Sequence, residues 1–93
     1  LAANALGAKQ AGRICYDLAR KTGTDCVNVE DEAIAEAQTR LWSALRLVVE
    51  PAGAAALAAL LSGAYRPQKD ERLAVLLCGA NPASAPFGPA KLQ

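Results

Sequence analysis

The chain has no histidine and no methionine, a single tryptophan, a single phenylalanine, and three cysteines with no Cys-x-x-Cys spacing. Each scarcity removes a class of function. Without histidine a transition-metal site would rest on scattered thiols, so no metal is expected, and a cysteine nucleophile would lack its usual activating base. Cys15, Cys26 and Cys78 are odd in number and widely spaced, which reads as free thiols in a reducing, cytoplasmic setting. Charge of one sign is also missing: the net charge is +1, and acidic residues interleave with basic ones beyond the single pair Arg20-Lys21. That balance argues against nucleic acid as a partner. No run approaches the ~18 apolar residues that cross a bilayer. The longest near-apolar stretch, Pro51 to Leu61, stops at Ser62-Gly63, so no membrane partner is expected. There is no signal peptide, and the chain opens Leu1-Ala2-Ala3-Asn4 without an initiator methionine, which suggests a piece of a longer polypeptide.

What is present is ordinary globular composition leaning apolar, 53% hydrophobic and 20% charged, with its weight on Ala, Leu and Val because aromatics reach only 4%. Alanine-rich helices pack closely but bring little core volume. A chain of 93 residues also buries a modest fraction of its surface when alone. The faces are therefore expected to pack against polypeptide outside these residues.

Hydrophobic spacing organises the chain. Ala11, Ile14, Cys15, Leu18 and Ala19 recur at helical intervals, the basic pair suits the last turn, and Thr22-Gly23 stops the helix. Asp25 to Val29 reads as a short edge strand. Glu30-Asp31-Glu32 places three carboxylates in a first helical turn, and a helix to about Leu47 follows, with Ile34, Ala37, Leu41, Ala44, Leu45 and Val48 inside. Trp42, beside that stripe, reads as core or interface packing. Pro51 after Glu50 is a helix start, and this helix ends at Ser62-Gly63. Ala64 to Glu71 is a polar connection. Leu73 to Leu77 is a continuous apolar run, as in a parallel strand buried on both faces. Three prolines in the ten residues Ala80 to Pro89 end regular structure, and Leu1 to Gly7 reads as a loop. The order α–β–α–α–β predicts an α/β fold: a partial open parallel sheet with flanking helices, in one unit over 1–93 without an internal boundary.

Three positions carry candidate chemistry. Cys78 ends the apolar run and precedes Gly79, at the carboxyl edge of a strand where ligands of α/β proteins bind. Spacing alone allows a small core hydrophobe as readily as a ligand-facing thiol. Glu50 is either a helix cap, a role worth about 1 kcal/mol, or a carboxylate beside a ligand. Gly53 serves either tight helix packing or room for a ligand. The acidic triplet lacks the alternating oxygen loop of a calcium site and reads as dipole compensation. No GxGxxG, Walker, GxSxG or HExxH motif occurs.

At these residues the chain resembles the serine/threonine dehydratase family, pyridoxal-phosphate enzymes of fold type II that also include serine racemase. Leu1 to Gly12 is similar to the segment after the family's phosphate-binding region. Trp42 through Glu50-Pro51 to Ala59 is similar to its "(I/V)EP…GA…LAA" helix start, and Leu76-Leu77-Cys78-Gly79-Ala80-Asn81 to its "(S/C)-G-G-(N/S)" strand end. The resemblance implies pyridoxal 5'-phosphate as cofactor of a full-length parent, with Cys78, Gly79 and Glu50 as cofactor-binding residues. Cys78 would donate a hydrogen bond to the pyridine nitrogen, Gly79 would let the ring approach, and Glu50 would lie near it. It further implies a parent ammonia-lyase that turns a β-hydroxy amino acid into a 2-oxo acid and ammonia, with an amino acid as substrate and a homo-oligomeric assembly. A racemase, another fold type II enzyme, or a non-catalytic α/β interaction module are the alternatives. Ala80 departs from the pattern, where most members have glycine. The family's Schiff-base lysine stretch and glycine-rich phosphate loop have no counterpart: Lys9, Lys21, Lys69 and Lys91 lie in other contexts. The 93 residues thus read as the carboxyl-terminal part of the large cofactor domain, without catalytic residues and inactive in isolation.

Overall fold

The computed structural model describes residues 7–80, and its regular elements are three helices, α1 (Arg13–Thr22), α2 (Asp31–Leu45) and α3 (Pro51–Leu61). Each starts and stops where local chemistry allows. Helix α1 ends on Gly23 at φ 69°, the left-handed turn that glycine enters without a steric penalty, and the Thr24 N–H returns to the Ala19 carbonyl. Arg20 and Lys21 fill its last turn as the sequence predicts. Helix α2 opens with Asp31 and Glu32 in its first turn, against the positive end of the helix dipole. It closes at Leu45 rather than Leu47, because Arg46 turns left-handed (φ 56°) and sends its N–H back to the Trp42 carbonyl. The Arg46 side chain donates to the Trp42 and Ser43 carbonyls and stacks over the Trp42 ring at 5.4 Å. Trp42 is accordingly a half-buried packing residue.

The core lies between α2 and α3. Ile34, Ala37 and Leu41 from α2 meet Val49, Ala54 and Ala58, with Val29, Leu57 and Leu77 packed around them. Alanine at 37, 54 and 58, each at 0% exposure, lets the two backbones approach closely. The Gln38 side-chain amide donates to the Val49 carbonyl at 2.8 Å and ties α2 to the connector that leads into α3. Part of the expected inner stripe is displaced: Leu45 is 62% exposed and Ala44 is also exposed. Helix α1 buries no residue and, among the described residues, packs on neither other helix; its apolar stripe, Ile14 and Leu18 included, stays exposed.

The expected parallel sheet does not appear among the described residues. No strand is present among the described residues: neither 25–29 nor 73–77 forms one. A strand exists through its ladder, and two short segments without a paired neighbour cannot satisfy their backbone groups as a sheet does. Nor is Leu73 to Leu77 buried on both faces, because Leu73 and Leu76 are exposed. Val75 and Leu77 are half-buried while Leu76 and Cys78 are exposed, so burial keeps a strand-like period of two with one side toward α3. Asp25 and Val27 lie with Leu73, Val75, Ala56 and Leu60 around one open apolar groove of about 290 Å³. Residues 1–6 and 81–93, including the expected loops there, Asn81 and Lys91, lie outside the described residues.

Candidate functional site

At the start of α3 the Glu50 N–H donates to the Gly79 carbonyl at 3.3 Å, which joins the distant segment 78–79 to this helix. Pro51 occupies the first helical position, with its fixed φ already helical, so the turn after Glu50 is sharply defined. Glu50 has extended backbone (φ −68°, ψ 160°), and its carbonyl accepts the Ala54 N–H. Its side chain makes no capping hydrogen bond, which sets aside the cap reading of that carboxylate. The half-buried carboxyl group folds toward Gly79 instead, where a Cβ would collide with Oε1 and stand 3.1 Å from Cδ.

Gly79 sits at φ 64°, in the left-handed region that favours glycine. Cys78 is a free, exposed cysteine among the described residues. Gly53 is buried one turn into α3. A Cβ there would run into the Cys78 carbonyl oxygen, and would stand 2.8 Å from the Cys78 carbonyl carbon and 2.8 Å from Val49 Cγ1. Glycine inside a helix is about 1 kcal/mol less favourable than alanine, and α3 is otherwise mostly alanine and leucine. Close approach of segment 78–79 is the reason it is tolerated.

The structure brings the four sequence-derived candidates to one place, with Glu50 against Gly79 and Gly53 against the Cys78 carbonyl. Sequence reasoning placed Gly53 in helix packing or ligand space. The signal for its actual neighbour was a lone glycine in the first turn of an alanine helix. Chemically the cluster offers a thiol, a carboxyl group and a glycine with no side chain. That donor set suits the edge of an aromatic nitrogen heterocycle such as the pyridine ring of pyridoxal phosphate, and Gly79 leaves the approach free of a Cβ. A phosphate cradle is not present among the described residues, and Lys9, Lys21 and Lys69 are exposed on other parts of the chain. Among the described residues no group of three or more His, Cys, Asp or Glu gathers to hold a metal, and no helix is long and apolar enough to cross a membrane.

Comparison with known proteins points the same way. Residues 2–79 match the family described as pyridoxal-phosphate dependent enzyme. The chain is similar to phenylserine dehydratase of Ralstonia pickettii, with 36% identity over 85 residues, which cover 91% of this chain and 26% of that protein. The chain thus spans about a quarter of the length of that relative. No solved structure matches it. With the match running from residue 2 to Gly79, the chain belongs to the pyridoxal-phosphate-dependent enzyme family.

Proposed function

We propose that these 93 residues are the carboxyl-terminal portion of the large cofactor domain of an ammonia-lyase that converts a β-hydroxy-α-amino acid to a 2-oxo acid and ammonia. The observation that carries this reading is the meeting of an exposed Cys78 thiol, the left-handed Gly79 and the uncapped Glu50 carboxylate at the start of α3. When bound, pyridoxal phosphate supplies the electron withdrawal that weakens bonds at the substrate's α-carbon. The chain's own part is to hold and tune the ring. Cys78 would donate its S–H to the pyridine nitrogen. A carboxylate at position 78 would instead keep a proton on that nitrogen and draw electrons harder. A thiol rather than a carboxylate at that position would suit loss of the β-hydroxyl. Gly79 keeps the ring's edge clear, and Glu50 borders it.

The named relative acts on phenylserine, so the substrate range proposed here includes aromatic β-hydroxy amino acids beside serine and threonine. The same reading includes a homo-oligomeric, cytoplasmic parent whose remaining residues supply the cofactor-binding lysine and the phosphate loop. The test is Cys78→Ala in the full-length protein, assayed for 2-oxo acid and ammonia from serine, threonine and phenylserine. A lost hydrogen bond of up to about 1.5 kcal/mol predicts turnover lowered up to about tenfold, together with a shifted absorbance of the bound cofactor. Unchanged turnover with an unchanged spectrum would overturn the contact, and no ammonia from any of the three substrates would overturn the activity.

A further inference from the structure

Gly53 stands out because it is costly where it lies. It occupies the first turn of a helix whose other small positions are all alanine, and alanine would make the better helix. The space its missing side chain leaves is filled by main chain. A Cβ at 53 would meet the Cys78 carbonyl oxygen head-on, with the Cys78 carbonyl carbon and Val49 Cγ1 each at 2.8 Å. A flexible side chain could swing away, but a carbonyl moves only with its peptide plane. That plane joins Cys78 to Gly79, whose own carbonyl is held by the Glu50 N–H at 3.3 Å. The first turn of α3 therefore touches the peptide on each side of Gly79's α-carbon, through Gly53 on one side and Glu50 on the other.

We infer that Gly53 is a positioning residue: its bare α-carbon sets the height of the Cys78–Gly79 peptide above α3, and through it the direction of the Cys78 thiol. The inference deepens the proposed function and rests on it for the cofactor contact, but the geometry of the thiol can be read without cofactor. Filling position 53 lifts the peptide and re-aims the sulfur while α3, a better helix with alanine, persists. A glycine kept only to make room for Val49 would behave differently, since shortening Val49 would then relieve the strain.

The experiment compares Gly53→Ala, Val49→Ala, the double variant Val49→Ala/Gly53→Ala and Ala56→Gly in the full-length protein. The rate of iodoacetamide alkylation at Cys78 is followed by peptide mass spectrometry in the cofactor-free form, and the absorbance of bound cofactor in the loaded form. Ala56 is exposed on α3 and lies outside the cluster, so Ala56→Gly weakens the helix without touching Cys78. Gly53→Ala is expected to change the alkylation rate at least threefold and to shift the cofactor absorbance, with the double variant retaining both changes. Ala56→Gly is expected to leave both as in the wild type. Should Gly53→Ala alone fail to fold, the double variant carries the same comparison. Restoration of the wild-type rate by Val49→Ala, an equal change in Ala56→Gly, or an unchanged rate in Gly53→Ala would each overturn the inference. Separately, added cofactor should protect wild-type Cys78 from alkylation. Absence of protection would overturn the cofactor contact and leave the effect of Gly53 on the free thiol standing.

Discussion

Gly79 and Gly23 hold almost the same left-handed backbone, φ 64° and 69°, in different surroundings. That pairing allows strain to be separated from function. Alanine at either position incurs the crowding between Cβ and the following carbonyl, about 1–2 kcal/mol per residue. At Gly23 nothing else lies within 4 Å of the added methyl. At Gly79 the methyl lands on Glu50 Oε1, with Cδ at 3.1 Å and Cγ at 3.7 Å. The carboxylate is the far end of a flexible side chain, so it turns aside at little extra cost in stability. Both variants should therefore lose about 1–2 kcal/mol in denaturant unfolding of the full-length protein. Only Gly79→Ala should weaken cofactor binding, because it displaces Glu50 and crowds the approach beside Cys78. Disturbing the one proposed hydrogen bond, from Cys78 to the ring, by up to about 1.5 kcal/mol corresponds to up to roughly a tenfold rise in Kd, measured by titrating cofactor into the cofactor-free protein. In a Glu50→Ala background the extra effect of Gly79→Ala should shrink, since the displaced group is already gone. If Gly79→Ala and Gly23→Ala bind cofactor equally well, the site at the start of α3 is refuted.

Two further outcomes follow from contacts elsewhere. Gln38→Ala removes the amide that donates to the Val49 carbonyl at 2.8 Å; the loss of about 1 kcal/mol should appear as faster hydrogen exchange in the α2–α3 connector, with no change in α1. In the loop after α3, the Tyr65 hydroxyl donates to Glu71 Oε2 at 2.6 Å and the Gln68 N–H to Oε1 at 2.7 Å. These bonds hold the Glu71 carboxyl below its ordinary value, the tyrosine hydroxyl contributing most, and the same carboxylate raises Tyr65 above 10.0. The Glu71 contribution to loop stability is thus fully present above the ordinary carboxylate pKa and lost as pH falls through the lowered one. The Tyr65 contribution is present below 10.0 and lost as pH rises through its raised value. Tyr65→Phe should move the Glu71 titration, followed by NMR, up toward the ordinary glutamate value; an unmoved midpoint would mean the hydroxyl does not hold the carboxylate.

The helices were legible in the residues themselves, because helical order is written in intervals of three and four. Ile34, Ala37 and Leu41 reach the core as that period requires, and Pro51 marks the start of α3. The thiol-glycine pair at 78–79 and the glutamate before Pro51 could likewise be named as candidates from their types and order. The exposure of Leu45 was not legible, since it depends on packing rather than on local period. The sheet could not be realised by 25–29 and 73–77 alone, because strand order depends on neighbouring chain rather than on local period. The packing of Gly53 against Cys78 and of Glu50 against Gly79 shows only in three dimensions. Sequence neighbours can state that a residue could cap, pack or face a ligand. Only the fold brings residue 53 against the carbonyl of residue 78, since a contact across 25 positions is set by packing and not by propensity.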